Sequence, residues 1–209
     1  IFKNIERVLE LKDWVPDVVG LAQYVWNSEL NLFGAKHIKK INPNCLVITG
    51  GPNQDLDAKK RQSFLMHWKD TIDLCVAYDG ETPFMLTVQR MLDNESSYDL
   101  KKNPPPGIFC LDPDTHQLIV SPDAPPKLKD LDVFGSVYAE GVFDEFLDEG
   151  WHPFVQTHRG CPYLCTFCHT GDTFYNKMLY QSPEVFRKDI ECLAKRYAGQ
   201  HNVTLYMAN

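Results

Sequence analysis

The sequence lacks several features that would indicate a membrane or nucleic-acid role. None of its apolar runs approaches the ~20 residues that cross a bilayer. The 209 residues carry a formal net charge of −7 and no long basic block, so a broad cationic face for nucleic acid is not expected. We therefore expect no membrane partner and no clear nucleic-acid partner.

The chain also lacks the signals of a secreted protein. It begins Ile-Phe-Lys-Asn-Ile-Glu, without a methionine and without the apolar core of a signal peptide. The seven cysteines are odd in number and mostly far apart, which is unlike a disulfide framework. These absences favour a reducing, cytoplasmic location and metal ligation. We also expect the chain to be a fragment of a longer protein.

What the sequence does contain is a repeated alternation of strands and helices. Three apolar runs are each followed by a helical stretch: residues 17–24, 45–49 and 72–77. This pattern favours an open, mostly parallel α/β sheet, in which ligands bind beyond the carboxyl ends of the strands. The loops that follow the three strands are therefore predicted to meet at one edge as a cofactor site.

The middle of the chain, residues 96–150, is rich in proline and is interpreted as a linker. Residues 108–111 and 117–120 flank an Asp-Pro-Asp turn and predict a β-hairpin. The acidic stretch at 144–149 is interpreted as a solvated face. A second domain then starts at residue 151 with a short strand, a cysteine-rich loop, a helix from Ser182 and a strand predicted at 202–207.

Three cysteines lie close together in that loop, in a C-x3-C-x2-C run: Cys161, Cys165 and Cys168. A structural metal site normally closes with four protein ligands, whereas three leave a position open for chemistry. His169 or Cys192 could complete a zinc site, although neighbouring side chains diverge and Cys192 falls within the predicted helix. The residue types alone leave zinc and iron–sulfur open.

The stretch from Arg159 to Cys168, Arg-Gly-Cys-Pro-Tyr-Leu-Cys-Thr-Phe-Cys, resembles the signature of the radical S-adenosylmethionine (SAM) enzymes. The resemblance implies that the three cysteines hold a [4Fe–4S] cluster on the first loop of a (β/α) barrel. The open iron of the cluster would bind SAM. It also implies that Phe167 lies near the adenine of SAM.

The first domain resembles the cobalamin-binding domain that precedes the barrel in one large subgroup of that family. The implied cobalamin contacts lie in the three strand-end loops: Tyr24, Val25, Trp26, Asn27, Gly50, Gly51, Pro52, Tyr78, Asp79, Gly80 and Glu81. Glycines permit close approach of a bulky ligand, although a Gly-Gly-Pro run is also an ordinary turn. No Asp-x-His-x-x-Gly motif is visible, so the lower cobalt ligand stays open.

These resemblances imply a fold and a function. The fold is α/β: a Rossmann-like open parallel sheet of the cobalamin-binding type over residues 1–95, the linker at 96–150, and the first βα unit of a truncated radical SAM barrel over 151–209. The function is that of a cobalamin-dependent radical SAM enzyme that reductively cleaves SAM and methylates an unactivated carbon. A small-molecule or peptide substrate and an electron donor such as flavodoxin or ferredoxin are implied as partners.

Two other functions stay open. A radical SAM methylthiotransferase would carry a second cluster, for which Cys45, Cys75 and Cys110 are the available cysteines. A non-catalytic corrinoid-binding or zinc-binding module would use the same loops without chemistry.

Overall fold

The computed structural model describes residues 15–55 and 57–208. The chain separates into two compact units, with the division between Lys127 and Leu128. Residues 1–14 of the predicted first domain lie outside the described part of the chain. Among the described helices, none is long and apolar enough to cross a bilayer.

The first unit is built on a five-stranded sheet in which sequence order equals spatial order. The strands are β1 (Val18–Ala22), β2 (Leu46–Gly50), β3 (Leu74–Val76), β4 (Ile108–Leu111) and β5 (Leu118–Val120). β1, β2 and β3 pair in parallel, whereas β4 and β5 are antiparallel to their neighbours. The expected α/β fold with a parallel-rich sheet is therefore confirmed.

Helices cover both faces of this sheet. They are α1 (Ser28–Ile41), α2 (Ala58–His67), α3 (Glu81–Leu92) and the short α4 (Ser97–Lys102). Successive strand side chains point to opposite faces, so Cys75 packs with Leu65 of α2 while Leu74 packs with Phe84 of α3. Full burial of each large aliphatic side chain contributes about 1.5–3 kcal/mol, which explains why these strands are almost wholly apolar.

Buried charges lie at the amino end of β3. Asp73 is 7% exposed and accepts hydrogen bonds from Lys39 Nζ at 2.6 Å and Lys101 Nζ at 2.6 Å. The backbone N–H of Val47 donates to the same carboxylate at 2.9 Å. A buried carboxylate needs such partners, and this one ties α1, α4 and two strands together.

The predicted hairpin is present, but it belongs to the sheet of the first unit. The backbone N–H of Asp112 donates to the Gln117 carbonyl at 2.8 Å and closes the turn between β4 and β5. The Asp112 carboxylate accepts the backbone N–H groups of Asp114 and Thr115, both at 2.9 Å. The sequence predicts a linker over residues 96–150. In the structure, residues 96–127 of this stretch belong to the first unit and residues 128–150 to the second.

The second unit contains the cysteine loop and one βα unit. Its elements are α5 (Asp144–Asp148), β6 (Phe154–Gln156), β7 (His158–Arg159), β8 (Leu179–Tyr180), α6 (Pro183–Arg196) and β9 (Tyr206–Ala208). β6 and β9 pair in parallel, and β7 and β8 pair antiparallel at the base of the cysteine loop. β9 begins later than predicted, because pairing starts where the Tyr206 N–H donates to the Pro153 carbonyl at 3.0 Å.

The residues before β6 pack onto this βα unit. The Asp132 carboxylate accepts the N–H of Ser182, the N-cap of α6, at 2.8 Å. Ser136 Oγ donates to buried Asp189 of α6 at 2.6 Å. Asp144 and Asp148 of the acidic stretch form a short helix and pair with Arg196, so this stretch is partly held by α6.

Candidate functional site

The cysteine loop is folded back on itself by its own backbone. The Cys161 N–H donates to the Tyr175 carbonyl at 2.8 Å, which joins the two ends of the loop. The Cys168 N–H donates to the Cys165 carbonyl at 3.1 Å, and the Gly171 N–H to the Cys168 carbonyl at 3.0 Å. All three cysteine backbones are therefore fixed within one turn-rich segment between β7 and β8.

Two glycines make this path possible. Gly160 has φ of +109°, and a Cβ there would lie 2.5 Å from the Lys177 carbonyl oxygen. A Cβ on Gly171 would lie 2.0 Å from the Cys165 carbonyl oxygen. Neither position accepts a side chain unless the backbone moves. The glycine that precedes Cys161 in the motif is therefore required for steric reasons.

The three thiols are available for ligation. Cys161 and Cys165 are partly exposed, Cys168 is exposed, and all three are free. A hydrogen bond with the Thr170 side chain, 3.2 Å from Sγ, lowers the pKa of Cys168, and the Thr170 backbone assists. Hydrogen bonding of this kind favours the thiolate, which is the form that binds metal.

The described part of the chain does not hold these thiols around one point. No group of three or more His, Cys, Asp or Glu side chains within it is close enough to bind a metal ion. The two candidates for a fourth ligand also have other contacts. The ring of His169 packs 5.7 Å from that of Tyr175, and Cys192 Sγ lies 3.3 Å from the Tyr138 carbonyl oxygen.

Apolar side chains stand between the cysteines and are open to solvent. Phe167 is 91% exposed, Tyr163 is 70% exposed and Leu164 is 56% exposed. These exposed side chains are accessible to a ligand that binds at the loop. The placement of Phe167 beside adenine stays a prediction.

The second candidate site lies at the carboxyl edge of the parallel strands. The Gln23 N–H donates to the Gly50 carbonyl at 2.6 Å, and the Gln23 carbonyl accepts the Asn53 N–H at 3.2 Å. Gly51 has φ of +103°, and a Cβ there would lie 2.8 Å from the Gln23 carbonyl oxygen. The first two predicted loops are therefore in direct contact, and Gly51 is required by both its conformation and this approach.

The first of these loops presents a flat apolar surface. The rings of Tyr24 and Trp26 stack with centroids 4.7 Å apart and planes 16° from parallel. Trp26 is 78% exposed and Val25 is 80% exposed. Asn27 fixes the turn, since its Oδ1 accepts the Tyr24 N–H at 2.8 Å and its Nδ2 donates to the Ala22 carbonyl at 2.9 Å. We call Tyr24, Val25 and Trp26 the aromatic ledge.

The remaining predicted contacts lie near the same edge. Pro52 is exposed beside Gly51, and a Cβ on Gly50 would lie 3.1 Å from Val76 Cβ at the end of β3. Tyr78 has φ of +64°, which costs a bulky residue about 1–3 kcal/mol and occurs mainly where the surroundings impose it. Asp79 and Gly80 are partly exposed, and Glu81 begins α3.

Sequence reasoning placed Gln23 in the first loop but not among the candidate contacts. Gln23 is 1% exposed, and two polar residues at the end of β2 and in the following loop are also buried, Thr49 at 0% and Gln54 at 7%. Gln54 Nε2 donates to Thr49 Oγ1 at 3.4 Å, and that hydroxyl donates to the Leu21 carbonyl at 3.2 Å. Neither amide atom of Gln23 has a partner among the residues described. A glutamine at the end of an otherwise apolar run was the only signal in the sequence.

The cysteines considered for a second cluster are core residues. Cys45, Cys75 and Cys110 are each 0% exposed. Burial raises the pKa of Cys45 to about 11 and that of Cys110 to about 12, and it raises the pKa of Cys75 well above its usual value. Thiols that stay protonated in an apolar core are poor metal ligands.

Three known proteins are similar in sequence to nearly the whole chain. TokK, a cobalamin-dependent radical SAM methyltransferase of Streptomyces tokunonensis, is 28% identical over 91% of this chain and 28% of that protein. The 2-(S-pantetheinyl)-carbapenam-3-carboxylate methyltransferase of Streptantibioticus cattleyicolor is 28% identical over 86% of this chain and 26% of that protein. An uncharacterised methyltransferase of Pyrococcus horikoshii is 26% identical, covering 94% and 40% respectively. No family model matches the chain.

Two solved structures share the fold. OxsB, a cobalamin-dependent SAM radical enzyme with aqua-cobalamin and SAM bound, has a TM-score of 0.67 and 18% identity over 97% of this chain and 27% of that one. The radical SAM methyltransferase TsrM of Kitasatospora setae, with cobalamin and a [4Fe–4S] cluster bound, has a TM-score of 0.60 and 15% identity over 90% of this chain and 37% of that one.

The sequence relatives and the two solved structures each match most of the chain, across both of its units. The chain is therefore a relative of the cobalamin-dependent radical SAM methyltransferases, as its sequence predicts. It spans between 26% and 40% of the length of the three relatives that it matches.

Proposed function

We propose that this chain is the cofactor-binding part of a cobalamin-dependent radical SAM enzyme, and that the whole protein methylates an unactivated carbon of a small-molecule or peptide substrate. One observation carries the proposal. Three free, solvent-accessible cysteines lie in a closed loop on a βα unit, downstream of a parallel sheet with a glycine-lined ligand edge. The two relatives that are 28% identical to this chain are methyltransferases by name.

The cysteine loop fits an iron–sulfur cluster by its donor chemistry. Cys161, Cys165 and Cys168 supply three soft thiolates, and hydrogen bonding already favours the thiolate of Cys168. His169 and Cys192, which could have closed a four-ligand zinc site, contact other groups. The loop therefore offers three donors and withholds a fourth.

The sheet edge fits cobalamin by its shape and by its unpaired polar group. The aromatic ledge is a flat, exposed apolar surface on which a planar macrocycle can rest. Gly50 and Gly51 contribute no side chain at the end of β2, where that strand meets the first loop. The buried amide of Gln23 provides hydrogen-bonding capacity that the residues described do not use.

When bound, the cluster supplies the electron that cleaves SAM, and cobalamin carries the methyl group that is transferred. The chain's own part is to hold and orient. Cys161, Cys165 and Cys168 present their sulfurs from one loop, and the exposed rings of Tyr163 and Phe167 offer stacking surfaces for adenine. The electron comes from a donor protein such as flavodoxin or ferredoxin.

The second-cluster alternative and the zinc-binding alternative gain no comparable support. A methylthiotransferase needs a second cluster, but Cys45, Cys75 and Cys110 are buried thiols with raised pKa values. A zinc module needs a fourth ligand, and the two candidates, His169 and Cys192, contact other groups.

The direct test uses the whole protein, reconstituted without oxygen with iron, sulfide and aquacobalamin. With a reductant and SAM, we expect 5′-deoxyadenosine or S-adenosylhomocysteine to form, together with a protein-bound cobalamin spectrum. Whole protein that holds both cofactors and leaves SAM intact under these conditions would overturn the proposal.

A further inference from the structure

Gln23 is a buried side chain held at the ligand edge. Its residue is 1% exposed, and its backbone is fixed on both sides by the loop that follows β2. The N–H donates to Gly50 at 2.6 Å and the carbonyl accepts from Asn53 at 3.2 Å. The close approach of Gly51, where a Cβ would lie 2.8 Å from the Gln23 carbonyl oxygen, leaves the backbone little room to shift.

The side-chain amide of Gln23 is unpaired at both ends. Neither Oε1 nor Nε2 has a hydrogen-bond partner in the described part of the chain. Two other buried polar side chains of this edge are paired, since Gln54 donates to Thr49 and Thr49 donates to the Leu21 carbonyl. Leaving a buried amide unpaired costs stability, so such a group in a native protein calls for a specific explanation.

We propose that Gln23 is a ligand-binding residue that pairs its amide with a primary carboxamide on the rim of the bound corrin. This inference rests on the proposed function, since it takes the ligand to be a corrinoid. Oε1 accepts an N–H of that carboxamide while Nε2 donates to its carbonyl oxygen. The pair satisfies both unpaired ends of the side chain with one group.

The choice of a carboxamide follows from the inventory of the unpaired atoms. A primary amide carries both donors and an acceptor, and Gln23 leaves both kinds unused. A phosphate, such as the one in the nucleotide tail of cobalamin, accepts only and would leave Oε1 unpaired. The corrin rim carries several primary carboxamides, so the matching group is part of the expected ligand.

The test compares Gln23→Met in the whole protein with the unchanged protein. Methionine keeps the length of the side chain and removes both polar atoms. Affinity is measured by absorbance titration with two probes: aquacobalamin, and cobinamide, which keeps the rim carboxamides and lacks the nucleotide tail. We expect Gln23→Met to lower the affinity for both probes about tenfold, which is the effect of losing a buried hydrogen-bonded pair.

Stability without ligand separates this role from a structural one. Replacing an unpaired buried amide by an apolar group removes a desolvation cost, so the ligand-free Tm of Gln23→Met should stay the same or rise. The matched control is Gln54→Met, which makes the same change at a buried glutamine that has a partner, and its ligand-free Tm should fall.

The outcomes are distinct. Equal affinity of Gln23→Met and unchanged protein for both probes overturns the inference, as does a ligand-free Tm that falls as far as that of Gln54→Met. If Gln23→Met weakens the binding of aquacobalamin but not that of cobinamide, Gln23 contacts the nucleotide tail, and the carboxamide pairing is overturned. If the unchanged protein binds neither probe, it is the proposed function that fails.

Discussion

A Cβ on Gly160 would lie 2.5 Å from the carbonyl oxygen of Lys177, closer than nonbonded atoms can approach. The same Cβ would lie 2.9 Å from the Tyr175 carbonyl oxygen, which accepts the Cys161 N–H. The two ends of the cysteine loop therefore meet at Gly160, where only a glycine fits. The positions of the thiols depend on this contact.

Gly160→Ala should open this loop. We expect the reconstituted protein to lose most of its iron, because the backbone that carries Cys161 must move to admit the methyl group. Iron per chain is the measurement. Gly199→Ala is the matched control, since Gly199 also has a positive φ of +78° but has no atom within 4 Å of the place that an added Cβ would take. Equal iron in the two variants would contradict the steric account.

Gly51→Ala should destabilise the first unit and weaken corrinoid binding. Alanine would have to adopt the left-handed φ and would clash with the Gln23 carbonyl oxygen. We expect this to lower the free energy of unfolding, measured by urea denaturation, by about 1–3 kcal/mol. Gly80→Ala is the control for stability, because Gly80 has φ of −93° and no atom within 4 Å of the added Cβ. That variant should be as stable as the unchanged protein or slightly more stable.

Asp73→Ala should be among the most damaging changes outside the cofactor sites. It leaves the ammonium groups of Lys39 and Lys101 without their shared carboxylate, and breaking such a buried network costs about 3–5 kcal/mol. Chemical denaturation gives the free energy of unfolding. Lys60→Ala, which removes an exposed ion pair with Asp55, should leave that free energy nearly unchanged. A similar small effect for Asp73→Ala would show that the network is not structural.

Acid should weaken the hairpin through Asp112. The backbone N–H of Thr115, the ammonium of Lys102 and the N–H of Asp114 hold the pKa of Asp112 well below its usual range. Its stabilising contribution is therefore complete above the unfolded-state pKa of about 4, and it is lost as pH falls from there toward the folded-state pKa. Asp112→Asn should flatten this part of the stability profile, measured by urea denaturation from pH 7 downward. Parallel profiles for the two proteins would contradict this assignment.

Much of the first unit could be predicted from the sequence because its elements are locally consistent. The three parallel strands are short apolar runs, such as Leu46–Gly50, and each is followed by a helix with its own signals. The hairpin at 108–120 was also visible from its turn residues. Its addition to the sheet beside β3 was not, because strand pairing depends on contacts distant in sequence.

The candidate sites were only partly visible for a similar reason. The three cysteines were evident from spacing alone. Gln23 was not, because its significance depends on burial without a partner, which no local pattern encodes. Ser136 contacts Asp189, which lies 53 residues later in the chain. Only the folded structure shows this contact, which assigns the residues that precede β6 to the second unit.

The central claim is that Cys161, Cys165 and Cys168 are the protein's complete set of cluster ligands, and iron and sulfide analysis tests it most directly. In anaerobically reconstituted whole protein we expect about four iron and four sulfide per chain. Cys168→Ala should lose most of both, whereas Cys192→Ala, a change at another free cysteine of the same unit, should keep them. One tightly bound zinc in a colourless protein, or equal loss of metal in Cys192→Ala, would contradict the account.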